Sequence, residues 1–586
     1  MTWTVKILSH GRTVAVRKKQ VLSDVLRQAG VPISLYCNKR GLCGKCFVEI
    51  KRGKLPPLGE KERSWLVAKG LSPNYRLSCQ YEVASDLEVR VPSAFTVQEI
   101  PILPSIMRSF IRPDPAIRKY YLELRRPDIR TPESLLEILL DGLGGVRLGI
   151  QPAVLRKLEE AMAKGDSKVT AVVHREREIL ALEPGYTVGR SFGLAIDVGT
   201  TTLVMELVDL DSGKTLDMEA AINQQVKRGA DVVSRISYCY ENSEHAAELQ
   251  SLVLETLNSM IGRLLARSRI DRESVYEAVI AGNTVMTHLL LEIPVRSLAR
   301  APYEAVFSRL PELHGSDLGL NIHPQAKIYF SPNIMSFVGG DIAAGLLASR
   351  LARKRGRFLF LDLGTNGEIV LRAGGRIVTS STAAGPAFEG MNISCGLPAL
   401  PGAIFKIRDE GEIRIETLGD STPRGICGTG LIDAIAVFLA RGEISRSGIV
   451  RNPARQIRIR ENIVLTQEDV RQMQLACAAI KTGIRILLEQ NRLSVEDLDG
   501  IYIAGAFGNY LNIENSMDIG LLPRIDKGRL NFIGNASLAG ARQMLLSARE
   551  RESAEKMVQA ARYVSLASEP QFQERFIEAL EFAPWP

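Results

Sequence analysis

Phe192-Gly-Leu-Ala-Ile-Asp197-Val-Gly199-Thr200-Thr201-Thr202 reads as a buried strand that ends in an acidic residue and runs into a tight turn of small polar groups. Leu203-Val-Met-Glu-Leu-Val208 then supplies a second strand. Such a turn can offer backbone N–H groups and hydroxyls to phosphate, and Asp197 can hold Mg²⁺ through water. Alone it is equally an ordinary strand turn. The pattern recurs 165 residues later, however, in Phe358-Leu-Phe-Leu-Asp362-Leu-Gly364-Thr365-Asn366-Gly367. Two acid-ended strand turns suggest two related halves facing one nucleotide. Ile501-Tyr-Ile-Ala-Gly505-Ala-Phe-Gly508-Asn509 places a further glycine-rich turn after a buried strand. Gly534-Asn535-Ala-Ser-Leu-Ala-Gly540 opens a helix, whose N–H groups and small side chains suit an adenosine. No Gly-x4-Gly-Lys-Ser/Thr sequence occurs, so a P-loop enzyme is not indicated.

Upstream of this region the cysteines are unevenly spent. Cys37, Cys43, Cys46 and Cys79 cluster near the N-terminus, whereas Cys239, Cys395, Cys427 and Cys477 are scattered and read as small buried apolar residues. The cluster has the spacing Cys-x5-Cys-x2-Cys, with 32 residues before the last thiol. Four thiolates around a short loop suit a 2Fe–2S cluster. Gly41 and Gly44 let backbone N–H groups approach the sulfides. Zinc is the competing reading, but structural zinc sites usually present two short spacings and here there is one. Val5-Lys-Ile-Leu and Thr13-Val-Ala-Val around His10-Gly11 predict a hairpin, and Val21 to Gly30 a helix with a glycine stop. Strand, strand, helix, cysteine loop and strand, with a distant last cysteine, resemble the β-grasp 2Fe–2S ferredoxins.

At 586 residues the chain is too long for one core, and three or four domains are expected. No run of about 18 apolar residues predicts a membrane span. The N-terminus lacks a signal-peptide layout, so a cytoplasmic location is expected. The net charge of +8 is thin over this length. Its densest basic run, Arg353-Lys354-Arg355-Gly356-Arg357, reads as a solvated connection, so nucleic acid is not an expected partner. Pro92, Pro101, Pro104, Pro113 and Pro115 punctuate a stretch that reads as an extended linker. Thr131-Pro132 is expected to open a capped helix, Pro152 to about Lys164 a second, and Lys168-Val-Thr-Ala-Val-Val and Glu178-Ile-Leu-Ala-Leu two paired strands. The expected fold class is therefore multidomain α/β. Residues 1–93 are expected to form a β-grasp ferredoxin-like domain, 94–128 a linker, 129–190 a small α/β middle domain, and 191–586 a two-lobed unit whose paired turns resemble those of the actin-like ATPase fold.

The turns, in their order, resemble the ATPase superfamily of actin, sugar kinases and heat-shock chaperones. Asp197 to Thr201 matches its first phosphate loop, Asp362 to Asn366 its second, and Gly505 to Gly508 its adenosine loop. With the ferredoxin-like domain in front, the whole layout resembles the reductive activators of corrinoid proteins. Arg228-Gly-Ala-Asp231-Val-Val-Ser-Arg235, Ala281-Gly-Asn283-Thr284-Val-Met-Thr-His288 and Gly425-Ile-Cys-Gly-Thr-Gly-Leu-Ile-Asp433 look like that family's ATPase part. Asn223-Gln224-Gln225 departs from the expected Asn-Pro-Gln. The resemblance implies an ATP-hydrolysing activator that passes one electron from its 2Fe–2S cluster to Co(II) of an inactivated corrinoid protein and restores Co(I). In that scheme Asp197 and Asp362, beside Gly199 and Gly364, position Mg²⁺ and the attacking water. Thr200, Thr201, Thr365 and Asn366 hold phosphates, and Gly505, Gly508 and Asn535 bound the adenosine. The implied partners are a corrinoid iron–sulfur protein or the corrinoid subunit of a methyltransferase, and a low-potential electron donor; a homodimer is compatible. An activator of a radical dehydratase or reductase, a small-molecule kinase with an accessory cluster and a non-catalytic redox sensor are the alternatives. Asp341 is expected to cap a helix or orient a water, Glu389 to lie in a surface loop, and His288 to be structural.

Overall fold

Val5 and Ile7 alternate with Thr4 and Lys6, a period of two that turns one face of a strand toward a core. This strand is β1 (Trp3–Ile7), and β2 (Arg12–Val16) pairs with it antiparallel around a turn closed by Gly11 at φ 60°. In the computed structural model, the described residues are 2–16, 19–31, 33, 41, 46–59, 62–63, 65–66, 71–92, 111–127, 132–229, 231–242, 244–505 and 510–585. Helix α1 (Leu22–Gln28) buries Leu22, Val25 and Leu26 against the sheet completed by β3 (Phe47–Arg52), β4 (Tyr75–Leu77) and β5 (Leu87–Arg90). The strand order 2-1-5-3-4, with β1 and β5 parallel, is the β-grasp arrangement.

The next unit departs from the sequence reading at its start. Residues 117–123, assigned to the extended linker, form β6 (Ile117–Glu123) at the edge of a four-stranded sheet, paired along its whole length with β8 (Lys168–His174). The prolines around it obscured a strand whose partner lies about fifty residues downstream. Helix α2 (Leu135–Gly142) starts later than Thr131-Pro132 implied, because Ser134 and Glu137 form a reciprocal capping box there; Thr131 itself lies outside the described residues. The single helix expected from Pro152 is two short ones, α3 (Pro152–Leu155) and α4 (Leu158–Lys164), and β7 (Gly149–Ile150) and β9 (Glu178–Pro184) complete the sheet.

Two six-stranded sheets follow, built on one plan. In the first, β10 (Phe192–Val198), β11 (Thr202–Asp209) and β12 (Thr215–Ile222) run antiparallel. Helices α5 (Val232–Glu241) and α6 (His245–Ser268) then lead to β13 (Val275–Gly282), parallel beside β10, and on through β14 (Leu313–His314) to β15 (Lys327–Phe330). In the second, β16 (Phe358–Leu363), β17 (Gly367–Ala373) and β18 (Arg376–Thr382) repeat the antiparallel meander. An inserted sheet of β19 (Ala403–Asp409), β20 (Ile413–Thr417) and β21 (Gly425–Ile426), and a hairpin of β22 (Gln456–Arg460) and β23 (Ile463–Thr466), intervene. Strand β24 (Gly500–Ala504) then lies parallel beside β16, β25 (Leu530–Gly534) beside β24, and β26 (Arg562–Tyr563) at the far edge. The acid-ended strands β10 and β16 therefore hold equivalent central positions. Strands β13 and β24 are buried from end to end, as expected for parallel strands covered on both faces.

Between the lobes cross α7 (Gly340–Ala348) and α8 (Ala536–Leu546). Ala344 and Leu347 of α7 join Ala195 and Val279 of the first lobe, while Ile342, Ala343 and Leu346 join Phe360 and Tyr502 of the second. The helices approach so closely that a β-carbon on Gly540 would lie 2.0 Å from the Ala344 carbonyl oxygen. The basic run is partnered: Arg353 pairs with Glu550 at 2.7 Å and Arg357 with Asp497 at 2.8 Å. Among the described residues, no helix is long and apolar enough to cross a membrane.

Candidate nucleotide cleft and cluster site

The turn between β10 and β11 must be tight, since a β-carbon on Gly199 would lie 2.4 Å from the Thr202 carbonyl oxygen. It is held from behind. Asn223 Nδ2 donates to the Gly199 carbonyl at 2.9 Å, and the Asn223 N–H donates to that of Thr201 at 2.9 Å. Arg235 Nη2 donates to the carbonyl of Thr200. Arg235 is fully buried on α5 and also donates to Gly229 O and Gln225 Oε1, both at 3.0 Å. Burial lowers its pKa to about 9, against the pull of Asp231 and Glu389. Asn223 and Gln225, the outer residues of the departing Asn-Gln-Gln, are both buried in this support.

Four acidic side chains gather where the strands end. Asp197 accepts from Asn535 Nδ2 and from Ser537 Oγ, each at 2.8 Å, so the start of α8 in the chain's last third orients the acid of β10. Burial raises the pKa of Asp197 and these two bonds offset it. Asp362 lies one residue before the end of β16, and Gly505, which turns away from the neighbouring β24 at φ +92°, stands so close that a β-carbon would lie 3.2 Å from Asp362 Oδ1. Burial, then Asp197 and Glu389, push Asp362 up to about 7. Asp341, on the first turn of α7, is raised to about 7 by burial, then by Asp362. Glu368 lies opposite Asp362 across the β16–β17 pair, 7% exposed, and is raised well above the usual carboxylate range by burial, then by Asp341 and Asp362. The three aspartates are each half-buried. In the second turn the Gly364 N–H donates to Asn366 O at 3.1 Å, and Glu389 accepts from the Thr365 N–H at 3.0 Å and hydroxyl at 2.6 Å.

In the N-terminal sheet, Cys46 immediately precedes β3 and Cys79 follows β4. The Phe47–Leu77 pairing and a 3.0 Å bond from the Ser78 N–H to Cys46 O bring the two together. Both are buried, at 1% and 5% exposure. Gln80 Nε2 donates to Cys79 Sγ at 3.6 Å, and Gly41, at φ +71°, packs against the Gln80 side chain. Cys37, Cys43 and Gly44 lie outside the described residues.

Comparison with known proteins aligns with both sites. Residues 5–84 match the 2Fe-2S iron-sulfur cluster binding domain, 108–189 the RACo linker region, 192–354 the RACo middle region and 357–584 the C-terminal, ASKHA domain of RACo. A corrinoid activation enzyme, RamQ, of Eubacterium limosum is 32% identical over 96% of this chain and 96% of its own. The chain belongs to the RACo family of reductive activators of corrinoid proteins. A solved reductive activator for a corrinoid, iron–sulfur protein is 32% identical, covers 99% of this chain and 98% of its own, and superposes with a TM-score of 0.74. A Co(II) methylated amine-specific corrinoid protein reductase of Methanosarcina barkeri is 27% identical over 64% of this chain and 73% of its own.

Two sequence expectations change. Asp341 is not a helix cap: Gly339 holds that position, and the Asp341 carboxylate, which accepts from the Ile342 N–H at 2.8 Å, faces the acid cluster. Glu389 is not a surface residue, because its carboxylate joins the two turns. Asn535 donates to Asp197 and so sits at the acid end of the cleft. His288 is structural, bonding Thr284 O at 2.7 Å and the Val306 N–H at 3.1 Å while stacked on Phe307. Gly508 lies outside the described residues. The sequence reading missed Glu368 and the role of Arg235. Glu368 was available from hairpin counting, since it mirrors Asp362 across the turn and opposite residues share a sheet face. Arg235 falls on the stripe of Val232, Ile236 and Cys239, where a charge needs buried partners.

Proposed function

We propose that this RACo-family protein uses ATP hydrolysis in its ASKHA domain to drive one electron from a 2Fe–2S cluster to the Co(II) of an inactivated corrinoid protein, restoring Co(I). The observation that carries this reading is the joining, in one chain, of a β-grasp sheet presenting Cys46 and Cys79 to a two-lobed fold whose acid-ended turns face each other across one cleft. The names of the relatives support it, one a corrinoid activation enzyme and the other a Co(II) corrinoid protein reductase.

Cys37, Cys43, Cys46 and Cys79 would hold the cluster, which when bound supplies a one-electron carrier of low potential. Gln80 donates to one of its sulfur ligands. In the cleft burial, and then the acids' repulsion of one another, raise Asp341 and Asp362 to about 7, and a divalent cation is the partner that relieves that repulsion. Asp197 and Asp362 would hold Mg²⁺ through water, which neutralises charge on the phosphates. Thr200 and Thr201, in the turn braced by Arg235 and Asn223, and Thr365 and Asn366, in the second turn, would donate to phosphate oxygens. Asn535 and Ser537 keep Asp197 oriented, while Gly505 and Gly508 bound the adenosine. Asp341, on the first turn of α7 beside these acids, would accept a proton from the attacking water. The partner is a corrinoid iron–sulfur protein or a methyltransferase corrinoid subunit, fed by a low-potential donor.

Moving an electron uphill costs about 2.3 kcal/mol per 100 mV. Hydrolysis meets that cost only if the nucleotide state changes how the activator holds its partner. Phosphate release by the cluster-loaded protein, alone and with a Co(II) corrinoid protein, tests the connection. The expected result is several-fold stimulation by the corrinoid protein, abolished by Asp362→Asn. Release indifferent to the corrinoid protein contradicts the reading.

A further inference from the structure

Glu389 ends a short 3-10 turn, Pro386–Glu389, that follows β18. Its two carboxylate oxygens serve different lobes. Oε2 accepts from the Thr201 hydroxyl at 2.8 Å, and Oε1 accepts from the Thr365 hydroxyl at 2.6 Å and the Thr365 N–H at 3.0 Å. An anion that takes two hydroxyls and a backbone N–H from facing small-residue turns is using the donors a phosphate would use. A β-carbon on Gly364 would also lie 3.6 Å from Glu389 Oε1, so the carboxylate lies against the second turn. The backbone behind it is fixed, with Ala387 and Phe388 each 2% exposed. Releasing these donors therefore requires only the Glu389 side chain to turn away.

We propose that Glu389 is a stand-in for the phosphates of ATP, latching Thr201 of one lobe to Thr365 of the other until a nucleotide takes over its donors. The proposal rests on the reading that these two threonines hold phosphate. It makes Glu389 a specificity-determining residue. A ligand whose phosphate chain reaches both turns can replace both halves of the latch, whereas adenosine monophosphate cannot. Repulsion between the carboxylate and the phosphate chain must be relieved as the side chain swings out. The latch therefore competes only with a phosphate chain long enough to reach both turns, so it weakens ATP binding and leaves AMP binding unchanged.

The experiment is calorimetric titration of the full-length, cluster-loaded protein with ATP and with AMP, each with Mg²⁺, for the wild type, Glu389→Ala and Glu389→Gln. The expected result is ATP binding about tenfold tighter in Glu389→Ala, a smaller gain in Glu389→Gln, which keeps the volume, and unchanged AMP binding in both. A residue that merely braces the cleft would weaken ATP binding when removed. Unchanged or weaker ATP binding in both variants, with normal binding by the wild type, overturns the latch alone. Failure of the wild type to bind ATP overturns the nucleotide reading and the latch with it.

Discussion

Arg235 shows how much of the cleft depends on a single buried charge. Its guanidinium spans Thr200 O, Gln225 Oε1 and Gly229 O, so it ties the first turn to the residues behind it and shares the bracing with Asn223. Lysine carries the charge but not the fork. Arg235→Lys is expected to weaken ATP binding tenfold or more, about 1.4 kcal/mol, measured by calorimetry; wild-type affinity in that variant would refute the bracing role. A second residue, Gln80, acts on the electron side. Its N–H bond to Cys79 Sγ stabilises the more negative, reduced cluster, so Gln80→Leu is expected to lower the reduction potential by tens of millivolts in a redox titration. A raised potential would contradict this. At this scale the sequence was legible where a residue type announces its chemistry, as with the four cysteines and the two strand-ending aspartates. Glu389 announced nothing, because only the folded chain carries it to turns 188 and 24 residues away.

At the scale of elements, the acid cluster is a product of strand alignment. Strand β16 carries Asp362 one residue before its end, β17 returns with Glu368 opposite, and α7 enters with Asp341. The hairpin was readable from the apolar run and the Gly-Thr-Asn-Gly turn; the convergence of α7 and α8 on it was not, since helix periodicity says which face is apolar but not which sheet it meets. Strand β6 was lost for a similar reason, its pairing with β8 being long-range and its flanks rich in proline. The crowding has a consequence for stability. Because Asp341 and Asp362 are raised to about 7 in the fold, the native protein holds protons that the unfolded chain has released at the same pH. The metal-free protein is therefore expected to lose stability as pH rises from the usual carboxylate range toward 7, then to level off. Melting temperatures between pH 5 and 8 check the sign. Asp341→Asn should flatten the slope, and a melting temperature that climbs through this range would contradict the cluster's assignment.

For the whole molecule, one buried ion network ties three units. Arg551, 1% exposed on a C-terminal helix, pairs with Glu277 of β13 at 2.6 Å and with Glu312 at 3.0 Å, and Glu312 also binds Arg175 beside β8 at 2.8 Å. Removing one member of such a network leaves a buried charge without its partner. Arg551→Ala is expected to cost about 3–5 kcal/mol, visible as a clear drop in melting temperature; a loss within the range of surface substitutions would show the network to be incidental. Domain order was the most legible feature of the chain, because each unit carries its own short signature, cysteines in one and paired acid-ended turns in another. How nucleotide state reaches the cluster is a property of the assembled molecule. That ATP drives the electron onto cobalt is tested by mixing the cluster-loaded protein with a Co(II) corrinoid protein and a low-potential reductant, with and without ATP, and following the absorbance of Co(I). Co(I) formation is expected to require ATP and to be lost in Asp362→Asn; equal formation without ATP would contradict ATP-driven transfer.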